Sequence, residues 1–206
     1  MCELLAILAK WQTLVGAFLG GVFSLGVALL VAYVARRRED VASSMVVVAN
    51  LVEMKARFTS TRQIAAKQSV PEADFHKWLS EKLVQSRPKL TPSFDAAMAR
   101  LMALDAHLAS HLTFFHIAYR ELDEKIDRVA DDFQSVREKG TAARSVAAMQ
   151  ADARLLAQHL ERAADHAECA AELINALFLS RYRQWTKLKR IFHVSAKEKD
   201  CLARLS

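Results

Sequence analysis

Between Trp11 and Ala35 the chain runs for 25 residues without a charged side chain, and Arg36, Arg37 and Arg38 follow at once. No other feature narrows the possible folds as much. As a helix at about 1.5 Å per residue this run would reach roughly 37 Å, more than the ~30 Å hydrocarbon layer of a bilayer. It can therefore cross with some tilt. Trp11 and Tyr33 fall near its two ends, where aromatic rings favour the membrane interface. A cleaved signal peptide fits less well. Met1-Cys2-Glu3 carries no basic side chain, the apolar run is too long, and no small-x-small cleavage site stands directly before the arginines. The expectation is one retained transmembrane helix over 11–35.

Orientation follows from the distribution of basic residues. Lys10 and the α-amine lie before the span, whereas Arg36, Arg37, Arg38, Lys55 and Arg57 lie within about 20 residues after it. Basic residues stay on the cytoplasmic side. The expected topology puts 1–10 outside as a short N-terminus and the rest in the cytoplasm. The span also carries Gly16, Gly20, Ser24, Ala28 and Ala32 at strict four-residue spacing. Positions i and i+4 stack on one helix face. In lipid, close backbone approach along such a strip is a main source of helix association, so the span is expected to self-associate.

The rest of the chain reads as helices. There are only 5 Gly and 3 Pro, while hydrophobic residues make up 52% and charged residues 25%. That excludes a collagenous or disordered chain and disfavours a turn-rich β fold. Residues 36–90 are expected to hold a juxtamembrane helix from Glu39 to about Gln68, with a partial apolar face of Val41, Met45, Val48, Val52 and Phe58. A break at Ser69-Val70-Pro71 and a short connecting helix with Phe75, Trp78, Leu79 and Leu83 would follow. Residues 91–192 read as a long antiparallel helical hairpin. Thr91-Pro92 would start its first arm, which nothing stops before Glu138, and the turn would fall near 139–141 at Gly140. Leu101, Leu104, Leu108, Leu112, Phe115, Tyr119, Leu122, Ile126, Val129, Phe133 and Val136 form one seam. Val146 through Leu160 to Leu177 form the other. A turn at Gly140 places residue i near residue 280 minus i. The fold class is all-α: one span, then a cytoplasmic coiled-coil hairpin or bundle.

Catalytic and metal motifs are not apparent. There is no GxSxG, no glycine-rich phosphate loop and no HExxH, and the ExxH pair of di-iron bundles does not occur. His107 and His111 share a helix face, with His166 and Cys169 opposite, but the spacing matches no zinc motif. Arg120 to Arg128 reads as a solvated face of i,i+4 pairs. The three cysteines, Cys2, Cys169 and Cys201, are too few and too widely spaced for a disulfide framework. The expectation is no enzyme, no cofactor and no metal.

The formal net charge of +6 lies wholly in the last 26 residues, where eight bases face two acids; residues 36–180 balance at 20 each. Arg181, Arg183, Trp185, Lys187, Lys189 and Arg190 mix cations with an aromatic ring. They could end the hairpin arm, or offer a surface to anionic lipid or a partner. A nucleic-acid surface is the third reading of these residues and the least favoured of the three. Residues 193–206 would form a basic C-terminal tail.

The stretch from Trp11 to Glu39, with its Trp-Gln-Thr-Leu start, small-residue span and arginine cluster, resembles the anchors of many uncharacterised bacterial single-span membrane proteins. The resemblance covers 11–39 and implies a bacterial inner-membrane location and no activity. The expected function is a membrane-anchored interaction protein. It would self-associate through its span and present a coiled-coil surface to a protein partner. The second expectation is a membrane-acting effector, a small toxin or phage-defence component whose oligomerising span disrupts the bilayer.

Overall fold

The computed structural model of the chain describes residues 2–139, 146–179 and 196–203. All elements among them are helical: α1 (Cys2–Lys67), α2 (Glu72–Gln85), α3 (Phe94–Met102), α4 (Ala106–Lys139) and α5 (Val146–Ile174). A π-helical turn (Asn175–Leu179) continues α5, and α6 covers Ala196–Ala203. The chain divides into two compact units, Met1–Ala42 and Ser43–Ser206, and α1 contributes to both.

The first unit is the early part of α1. Its apolar side chains from Trp11 to Val34 stand exposed wherever they are described, Phe23 to 75%. An exposed apolar surface of that extent marks contact with lipid or with another protein. Within Leu14–Lys67 lies a stretch of mean hydropathy 2.4, none of it buried inside the molecule. Among the described residues, one helix is thus long and apolar enough to cross a membrane.

In the second unit α1 turns a different face inward than its hydrophobic pattern suggests. Ser44, Val47, Asn50, Leu51, Met54 and Ala65 are buried, whereas Met45 and Val52 are 59% and 53% exposed. Of the expected face, Val48 and Phe58 are only partly buried. The reason is polar. The Asn50 side-chain amide donates to Thr91 Oγ1 (3.0 Å), and its carbonyl oxygen accepts from the Thr91 backbone N–H (2.9 Å). A third Asn50 bond reaches the Val46 carbonyl (2.8 Å). A buried amide needs such partners, and meeting them carries Val47, Leu51 and Met54 into the core.

The helix ends where the break was expected, in a Schellman cap. Val70 N–H donates to the Ala65 carbonyl and Ser69 N–H to the Ala66 carbonyl, both at 3.1 Å. This geometry needs a left-handed residue at Ser69, whose φ is 49°. The next helix, α2, packs on both α4 and α5 and buries Leu79 and Leu83.

The arm expected to run unbroken from Pro92 is in fact two helices. Residues 103–105 interrupt it, and the Asp105 carboxylate accepts from Leu108 N–H (2.9 Å) as the N-cap of α4. A side-chain cap supplies what glycine or proline supplies elsewhere, so the helical period alone conceals the break. Leu104, a seam position by spacing, falls in the break and is exposed. Thr91, expected to cap the first arm, instead bonds Asn50, and α3 starts three residues later at Phe94.

The core runs along α4 and α5. Leu108, Leu112, Phe115, Leu122, Ile126 and Val129 are buried from α4; Leu156, Leu160, Ala163, Ala167, Ala170 and Ile174 are buried from α5. Each fully buried leucine or phenylalanine is worth about 1.5–3 kcal/mol over exposure. Phe94 of α3 meets Phe115 edge-on with ring centroids 5.8 Å apart. The expected turn at 139–141 begins where α4 ends, and Gly140 and Thr141 lie outside the described residues.

Candidate functional site

On the first unit, the small-residue strip lies open. Gly16, Gly20, Ser24, Ala28 and Ala32 are all exposed. A Cβ built on Gly16, Gly20, Gly21 or Gly26 would meet nothing within 4 Å. Their lack of a side chain is therefore not explained by packing inside this chain. Arg36, Arg37 and Arg38 are exposed at the end of the apolar run. A helix with a smooth apolar strip and a cationic end can do two things chemically: sit in lipid, and let another helix approach its backbone closely.

On the second unit, α4 and α5 are joined by polar contacts at three levels. Lys125 donates to Asp152 at 2.7 Å, and both side chains are largely buried. Glu121 lies 2.8 Å from His159, the pairing that the 280-minus-i relation requires. His111, wholly buried, meets His166 with Nδ1 atoms 3.2 Å apart, where that relation places Cys169. When both rings are neutral, one Nδ1 carries the hydrogen and the other accepts it. Phe114 stacks on the His166 ring at 5.2 Å. His111 and His166, weighed above as metal ligands, thus contact each other. Among the described residues no group of three or more His, Cys, Asp and Glu is placed to hold a metal ion.

The face from Arg120 to Arg128 is less solvated than its charge pattern suggests. Arg87, in the connection after α2, donates from Nε to Asp123 (2.7 Å) and from its two terminal nitrogens to Asp127 (2.6 and 3.2 Å). These bonds hold the guanidinium pKa above its ordinary value, and charge-assisted forks of this kind are strong and directional. Beside them the Tyr119 hydroxyl donates to the Pro88 carbonyl (3.1 Å). Burial raises the Tyr119 pKa. The connection 86–90 is thereby fastened to α4. A shallow groove of about 150 Å³ lies between Phe58, Ile64, Trp78 and Leu160, with Arg57 and Lys82 at its rim. Arg57 is committed to Glu53 (2.8 Å).

The cysteine reading requires correction. Cys169 of α5 and Cys201 of α6 form a disulfide, their Cα atoms 5.7 Å apart. Sequence spacing could not have found this pair, because the residues are 32 apart and only the packing of α6 on α5 brings them together. The Arg87 fork was equally hidden, since one arginine among many carries no signal of its partner. Arg181, Arg183, Trp185, Lys187, Lys189 and Arg190 lie outside the described residues.

No family model, curated protein or solved structure matches the chain.

Proposed function

We propose that this chain is a single-pass protein of a bacterial inner membrane that works as an interaction module. Its N-terminus lies outside and its helical unit in the cytoplasm. The span associates with further copies through Gly16, Gly20, Ser24, Ala28 and Ala32. The unit offers α4 and α5, paired as an antiparallel coiled-coil hairpin, to a protein partner. The observation that carries this reading is the span itself: an apolar helix exposed on all described sides, with glycines that none of the described residues crowds. Lipid is the solvent that such a surface requires, and the open strip leaves room for another backbone. The arginines after the span support the orientation.

The test is self-association of the full chain in membranes, read by fluorescence transfer between two labelled copies. Gly20→Ile, which puts a branched side chain on the strip, is expected to lower transfer several-fold, and Leu19→Ile, off the strip, to leave it unchanged. Equal transfer in all three would end the strip reading. Labelling of Cys2 in intact spheroplasts by a membrane-impermeant thiol reagent is expected for an outside N-terminus. Growth arrest on expression, lost in Gly20→Ile, would transfer the conclusion to a membrane-disrupting effector.

A further inference from the structure

The covalent bond between α5 and α6 has no part in the reading above. Cys169 is 1% exposed and Cys201 6%. Their Cα separation of 5.7 Å lies within the usual range for a disulfide. The bond closes a ring containing residues 170–200, and hence all of Arg181, Arg183, Trp185, Lys187, Lys189 and Arg190. Cytoplasmic thiols are kept reduced, and the disulfides that do form there are mostly transient and redox-sensing.

We propose that Cys169 and Cys201 are a reversible oxidation site, closed by hydroperoxides and reopened by a dithiol reductant. The inference rests on the cytoplasmic placement proposed above. Three observations support it. The buried apolar cluster that organises the unit includes neither cysteine, so opening the bond leaves that core in place. α6 is eight residues long and packs on α5, so the bond joins two elements that are already in contact. The remaining cysteine, Cys2, stands before the span, so on the proposed topology no third thiol competes on the same side.

The chemistry balances with a hydroperoxide as the oxidant. The Cys201 thiolate, the more exposed of the two, attacks the terminal peroxide oxygen. The O–O bond breaks, an alcohol leaves after taking up a proton, and Cys201 becomes a sulfenic acid. The Cys169 sulfur then attacks the Cys201 sulfur, the S–O bond breaks, and water leaves. Two thiols lose two electrons and two protons in all; the hydroperoxide gains both, giving one alcohol and one water. A dithiol returns them by exchange through a mixed disulfide. Closure links α5 and α6 covalently at Cys169 and Cys201.

The test uses the full chain carrying Cys2→Ser, expressed in bacterial cells. Thiols are trapped by acid quench and then tagged with a polymer-linked maleimide. Two tags are expected in growing cells, none after a brief pulse of hydrogen peroxide, and two again on recovery. The same chain with Cys201→Ser should lose that reversible two-tag step. Trypsin cleavage within 181–190 after oxidation should give fragments that separate only under reducing electrophoresis. Two tags throughout would overturn the switch and leave the topology standing. No tags before the pulse and no response to it would overturn both, because a permanent disulfide marks an oxidising compartment. Cys201 in a Cys2→Ser, Cys169→Ser chain decides the topology by itself: reaction with an impermeant reagent in intact spheroplasts would refute the cytoplasmic placement.

Discussion

Phe23 and Phe115 are the same side chain with opposite fates. The first stands 75% exposed in the span, and the second is wholly buried between α3 and α4. Among the described residues of 43–206, apolar residues recur at helical spacing and pack into one buried cluster. In 11–35 they surround the helix, and none is buried. An apolar stripe specifies a packing partner, whereas an apolar cylinder specifies a solvent. The difference explains why one region can be understood from contacts and the other only from what surrounds it.

The sharpest way to break this contrast is to truncate both rings. Phe115→Ala should cost about 3–5 kcal/mol, seen as a lower Tm of the full chain in detergent, and Phe23→Ala should leave that transition in place. Comparable losses would mean that the span is packed like a core.

Next in size is a contrast of ion pairs within the helical unit. Lys125→Ala leaves the buried Asp152 carboxylate without its ammonium, which should cost about 3 kcal/mol. Lys55→Ala breaks an exposed pair with Glu168 and should cost about 0–1 kcal/mol. Chemical denaturation midpoints would separate the two.

A smaller, stabilising effect is expected at the end of α1. Ser69 holds a left-handed conformation that glycine adopts without penalty, so Ser69→Gly should raise stability by about 1 kcal/mol. No gain would mean that the cap does not limit the unit.

The smallest effect is in alkali. Burial raises the Tyr119 pKa in the folded chain, so the unfolded chain gives up this proton first. The stability the phenol contributes is complete below its ordinary value of about 10 and is lost as pH rises through the raised one. Tyr119→Phe should flatten the fall of Tm across that range, and an unchanged slope would remove Tyr119 as its cause.

The long apolar helix and the helical class could be read from the chain because both rest on long runs: 25 uncharged residues, and apolar spacing sustained over many turns. The α5 seam from Ala153 to Leu177 is buried as its spacing predicts. What escaped were decisions taken by single polar side chains. Asp105 splits a helix that its neighbours would continue. Arg87 covers a face that its own charges make look solvated. Cys169 and Cys201 meet only because a short last helix packs back on α5. Of the candidate site, the small-residue strip was visible in the spacing of five residues, and the disulfide was not visible at all.

The two bonds between Asn50 and Thr91 have a consequence for rotational uniqueness. Past the span, α1 carries two apolar edges: Val47, Leu51 and Met54 on one side, Met45 and Val52 on the other. By oiliness alone they are nearly degenerate, and a helix with two equivalent edges can settle in either of two phases. Asn50 lifts that degeneracy, because only one phase brings its amide to Thr91. Replacing it with an apolar residue would leave the Thr91 N–H without its acceptor and the helix with two competing orientations.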